Sequence, residues 1–123
     1  MNLEDLALAI EATMHPGTGY DSIRIARIYA ADTMSDLIAH ASSDTLIVTS
    51  LNNAQLVRIA ELMDAPAICL AGGADPGQEL LAAARGAGKV IIVSPLNPAE
   101  IRSRLERHLG ELEVRSEPGA QPA

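Results

Sequence analysis

Ala67-Ile-Cys-Leu-Ala-Gly-Gly-Ala-Asp-Pro-Gly-Gln78 is an apolar run that breaks into glycines and then into helix-forming residues. It reads as a buried strand leaving a sheet through a turn and entering a helix. Gly72 and Gly77 have the spacing of a nucleotide-triphosphate phosphate loop. Such a loop continues with Lys, which reaches the β/γ-phosphates, and with Ser or Thr, which holds Mg²⁺. Here Gln78 and Glu79 follow instead, and Asp75 lies inside the loop. A carboxylate there repels phosphate, so the stretch is a β-to-α turn. Gly72 and Gly73 supply its unusual backbone angles. Asp75 is placed to cap the next helix, with Pro76 in its first turn.

The same unit recurs on either side. Thr45-Leu-Ile-Val-Thr49 is a continuous apolar strand, followed by a helix from Asn53 to Met63. Residues 67–71 form a strand and Pro76 to Arg85 a helix. Lys89-Val-Ile-Ile-Val93 is a strand before a helix from Pro98 to about Leu112. Upstream, Leu3, Leu6, Ala7 and Ile10 have helical spacing within Asn2 to Met14, with Asn2 as cap. His15-Pro-Gly-Thr-Gly19 ends that helix. Residues 23–31 suggest a strand, and Asp32 to Ala41 a short helix.

Apolar strands alternating with helices are covered on both faces, which requires a mainly parallel sheet. The expected architecture is therefore α/β: a single three-layer domain, four or five mainly parallel strands, and helices on both faces. Residues 1–112 form that domain. Residues 113–123, rich in polar residues, Pro and Gly, are expected to be a disordered tail.

Composition narrows the function. The 123 residues are 48% hydrophobic but only 2% aromatic, with no Phe or Trp. Base stacking on aromatic side chains is almost unavailable. A formal net charge of −7 opposes binding nucleic acid or an anionic membrane. The single cysteine, Cys69, sits in an apolar run as a small hydrophobe rather than a nucleophile. No leader-like opening and no membrane-length apolar run is present, which points to a cytoplasmic location.

In parallel α/β sheets, ligands bind beyond the carboxyl ends of the strands. Those ends carry Asp32, Ser35, Thr49, Ser50, Asn52, Gly72, Gly73, Asp75 and Ser94. Together they suggest a polar pocket of hydroxyls, amides and backbone donors beside helix amino termini. Asn53, Asp75 and Asn97 stand where helix caps belong, and capping alone accounts for them. Catalysis and metal binding find no support. His15, His40 and His108 lie on separate elements without ligand spacing. No serine sits in a GxSxG elbow. Asp32 and Asp36 lie at a helix start, where carboxylates are favoured anyway. A phosphoryl-accepting receiver domain is excluded, because the central strands end in Thr49-Ser50 and Gly72-Gly73 rather than in an acceptor aspartate.

Several segments in order resemble the DRTGG domain family. They are Ile28-Tyr-Ala-Ala-Asp-Thr-Met-Ser-Asp-Leu-Ile-Ala39, then Leu46-Ile-Val-Thr-Ser50 with Ala54 to Ala60, then residues 67–73 with Pro76, and a short strand before Ser94. The DRTGG signature itself is not present in that form, because Ile25-Ala-Arg27 follows Tyr20-Asp-Ser-Ile-Arg24 without the glycines. The likeness covers the chain to about Leu109. Modules similar to this family occur at the amino terminus of the HPr kinase/phosphorylase, within some phosphotransacetylases, beside CBS domains and alone. The resemblance implies a non-enzymatic regulatory module of unknown cofactor that pairs as a homodimer and binds a small polar or anionic metabolite, a nucleotide among the candidates. A ligand-free interaction or dimerisation domain is the alternative, and an unrecognised enzyme the third reading.

Overall fold

The computed structural model describes residues 2–15, 23–108 and 113–116. In chain order the elements are α1 (Leu3–Ala9), β1 (Thr13–His15), β2 (Arg27–Ala30), α2 (Met34–His40), β3 (Thr45–Thr49) and α3 (Gln55–Met63). They continue with β4 (Ala67–Leu70), α4 (Gln78–Ala87), β5 (Val90–Val93), α5 (Pro98–His108) and β6 (Glu113–Ser116). The sheet runs β1-β5-β4-β3-β2-β6. Every neighbouring pair is parallel except β1 on β5.

The three-layer α/β reading holds. β3 and β4 are buried along their whole length, as their continuous apolar sequences demand. Steps from β2 to β5 all move the same way across the sheet. Right-handed crossovers therefore put α2, α3 and α4 on one face. Leu37, Leu56, Ile59, Leu80 and Ala84 form that core with Ile47, Ile68 and Ile91. On the other face Leu3 and Leu6 of α1 and Ile10 at its carboxyl cap, with Ile101 and Leu105 of α5, cover Leu46, Val48, Cys69 and Ile92. An ion pair from Arg104 to Glu11, 2.9 Å, joins α5 to the end of α1.

Four expectations need correction. The amino-terminal helix stops at Ala9, not Met14, because Glu11 turns left-handed (φ 57°) and sends Thr13–His15 into the sheet. The strand expected over 23–31 is limited to β2; Arg24 makes one isolated bridge to Asn2. Asp75 does not cap α4, whose cap position is Gly77 without a side-chain hydrogen bond. The sheet has six strands among the described residues, because Glu113–Ser116 form β6 on the open edge of β2 instead of belonging to a tail. Residues 117–123, also expected in that tail, lie outside the described residues.

Asn53 and Asn97 do act as caps. Their Oδ1 atoms accept from the backbone N–H of Gln55 at 3.0 Å and of Glu100 at 2.8 Å.

Candidate functional site

The loops after β2, β3, β4 and β5 share one edge of the sheet, so all nine candidate residues stand on the same rim. The structure divides them into different tasks.

Asp32, Thr49 and Ser50 are joined. Asp32 Oδ1 accepts from Ser50 N–H and from Ser50 Oγ, each at 2.8 Å, and from Thr49 Oγ1 at 3.2 Å. Thr49 is completely buried and also accepts from Leu51 N–H. The carboxylate thus clips the end of β2 to the end of β3. Ser35 is exposed in the first turn of α2 and makes no hydrogen bond to this group. Beside it, Thr33 Oγ1 donates to Asp36 at 2.6 Å.

Gly72, Gly73 and Ser94 form a second group. The β4 loop leads to a helix on one face and the β5 loop to a helix on the other. The crevice of a parallel sheet would open at that divergence. Here it is closed: Gly72 N–H donates to Leu96 O at 2.7 Å and Gly73 N–H to Ser94 O at 2.8 Å. Both glycines have positive φ, 78° and 72°, which aims their amides at the neighbouring loop. Neither N–H is left for a phosphate. Ser94 is fully buried; its Oγ donates to Ile10 O at 2.7 Å and accepts from Leu96 N–H at 3.1 Å. Cys69, behind this crevice, is also fully buried. Burial raises its thiol pKa from 9.0 to about 12, partly offset by a backbone hydrogen bond from Ser94.

An open space lies one step along, between the starts of α3 and α4. A cleft of about 320 Å³ is lined by Asn52, Asn53, Ala54, Gly77, Gln78, Glu79 and Leu80. Asn52 Nδ2 donates to Asp75 O at 2.8 Å, which ties the β3 loop to the β4 loop at the cleft's edge. Of the nine candidates, only Asn52 lines it. In sequence Asn53 reads equally as a residue of the strand-end pocket or as a cap, whereas Gln78 and Glu79 read only as breaks in a phosphate-loop pattern.

Among the described residues, no cluster of three metal-ligating side chains exists and no helix is long and apolar enough to cross a membrane. His40 stacks on Tyr29, with ring centroids 4.6 Å apart.

No family model matches the chain, and neither does any curated protein. Among solved structures it is similar to the CBS and DRTGG domains of the regulatory region of Clostridium perfringens pyrophosphatase, complexed with the activator diadenosine tetraphosphate. The TM-score is 0.65 at 13% identity, over 91% of this chain and 47% of that one. The chain thus spans about half the length of that regulatory region, and the likeness supports a fold of the CBS/DRTGG kind.

Proposed function

We propose that the protein is a regulatory module rather than an enzyme, and that it binds a small polar metabolite at the carboxyl edge of its sheet. The observation that carries this is the cleft between α3 and α4. It lies on the edge where parallel sheets take ligands, and α4 opens onto it with no side chain filling its cap. The similar regulatory region was solved with a nucleotide activator, which makes nucleotides and their components the first compounds to test. Within the candidate set, Asn52 is the contact residue and Asp32 and Ser50 hold the adjoining loop. Thr49, Gly72, Gly73 and Ser94 serve as scaffold, since their polar groups already have partners inside the fold.

A thermal-shift screen of nucleosides, nucleotides and acyl phosphates, with and without Mg²⁺, tests the proposal. A ligand at one hundred times its dissociation constant adds ~2.7 kcal/mol. That is several degrees for a domain of this size. If no compound at millimolar concentration shifts the melting point, the ligand-free interaction domain becomes the better reading. Purified protein should also hydrolyse no ATP; sustained turnover would overturn the non-enzymatic assignment.

Self-association as a homodimer belongs to the same proposal. Leu8 and Leu62 are 74% and 71% exposed on helices of opposite faces, and covering either would remove apolar surface from water. Light scattering at tens of micromolar decides it, and a monomeric mass sinks it.

A further inference from the structure

We propose that the cleft recognises the edge of a neutral, planar heterocycle, such as a nucleobase, and discriminates against phosphate. This rests on reading the cleft as a ligand site, and adds what kind of group it accepts.

The argument begins with two adjacent carboxamides whose orientations are fixed by partners of known polarity. Asn53 must turn Oδ1 toward Gln55 N–H, because a backbone N–H can only donate. Its Nδ2 is then a free donor. Asn52 must turn Nδ2 toward Asp75 O, because a carbonyl can only accept. Its Oδ1 is then a free acceptor. Two neighbouring residues on one cleft therefore offer one acceptor and one donor. A heterocycle edge with an adjacent N–H and C=O, or an amino group beside a ring nitrogen, offers the complementary pair.

Charge and shape agree. The lining contains Glu79 and no Lys or Arg. Glu79 lies in the first turn of α4, so the helix end that would attract an anion already faces a carboxylate. A phosphate brought there meets a like charge with no counter-cation. The remaining wall is Ala54, Gly77, the exposed Gln78 and the buried Leu80, so that apart from one further carboxamide it offers apolar surface to a flat ring. At about 320 Å³ the cleft is at the small end of ligand sites, roughly 300–1,000 Å³.

The test is calorimetric titration of the whole chain with adenine, uracil, their nucleosides, and the corresponding 5′-triphosphates. At least one base or nucleoside should bind, and its triphosphate should bind about tenfold more weakly. Glu79→Gln should narrow that gap by improving the triphosphate. Asn53→Asp keeps the capping oxygen but replaces the free donor with an acceptor. It should leave the melting point unchanged and weaken the base about tenfold or more. Triphosphates that bind more tightly than their nucleosides, or an Asn53→Asp protein with undiminished base binding, overturn the proposal. If acyl phosphates or other metabolites bind while no base does, the heterocycle assignment fails and the broader ligand-binding reading stands. If nothing binds, both fall.

Discussion

The hydroxyl of Ser94 donates to the carbonyl oxygen of Ile10 at 2.7 Å, across 84 positions of sequence. It joins the carboxyl cap of α1 to the end of β5, and Leu96 N–H completes the node. Ser94→Ala leaves Ile10 O and Leu96 N–H without that partner in a buried place. The expected loss is about 1–3 kcal/mol, the cost of orphaned buried polar groups. Chemical denaturation with an unchanged m-value checks it. A loss below the error of the measurement would show that water replaces the hydroxyl.

At the other end of the rim, Asp32 holds β2 to β3 through one oxygen. Asp32→Ala should cost about 1–2 kcal/mol, and Asp32→Asn clearly less, because the amide keeps an oxygen for Ser50. Equal losses in the two variants would mean that charge, not the acceptor, matters. Urea unfolding of the pair separates these outcomes.

The glycine turn can be tested by strain. An added Cβ at Gly72 meets nothing within 4 Å, so Gly72→Ala reports only the cost of positive φ, about 1–2 kcal/mol. Gly72→Asn should lose less, since asparagine tolerates that region. Gly73→Val adds a branched side chain where Pro95 Cα already lies 3.8 Å from the Cβ position, and should lose most. Melting temperatures of the three variants give the order.

Cys69 links stability to alkaline pH. Its folded pKa of about 12 exceeds the ordinary 9.0, so folding favours the protonated thiol. Below pH 9 both states hold the proton and the effect is constant. Between pH 9 and 12 only the unfolded state releases it. Stability should then fall as pH rises, by about 1.4 kcal/mol per pH unit from this group. Cys69→Ala, less stable at neutral pH through lost packing, should show a shallower alkaline decline than wild type. Parallel declines would refute the assignment. The same burial predicts that a maleimide labels Cys69 only upon unfolding.

How legible this was in the sequence depends on which forces are local. β3, β4 and β5 announce themselves because strands buried on both faces must be apolar throughout. α3 follows from periodicity, and its Asn53 cap from residue type. β1 is hidden: Thr13-Met-His15 carries no pattern, and a left-handed Glu11 redirects the chain. β6 is hidden too, because a lone Val114 among Glu113, Arg115 and Ser116 becomes a strand only where β2 offers an edge. At the site, sequence located the correct rim but could not tell which polar groups would be spent on the protein. Thr49 and Ser94 point inward and are fully buried, while Asn53, a cap through Oδ1, keeps its second function on Nδ2.

The place of β6 also orders events on the ribosome. Arg27 of β2 pairs with Glu113 of β6, so an early strand waits for one made near the end of the chain. At roughly 5–20 residues per second, that interval lasts several seconds. During it, the edge of β2 is bare in the nascent polypeptide, a template for strands of neighbouring chains. Synthesis stalled before Glu113 should therefore yield a product more prone to aggregate than its composition suggests.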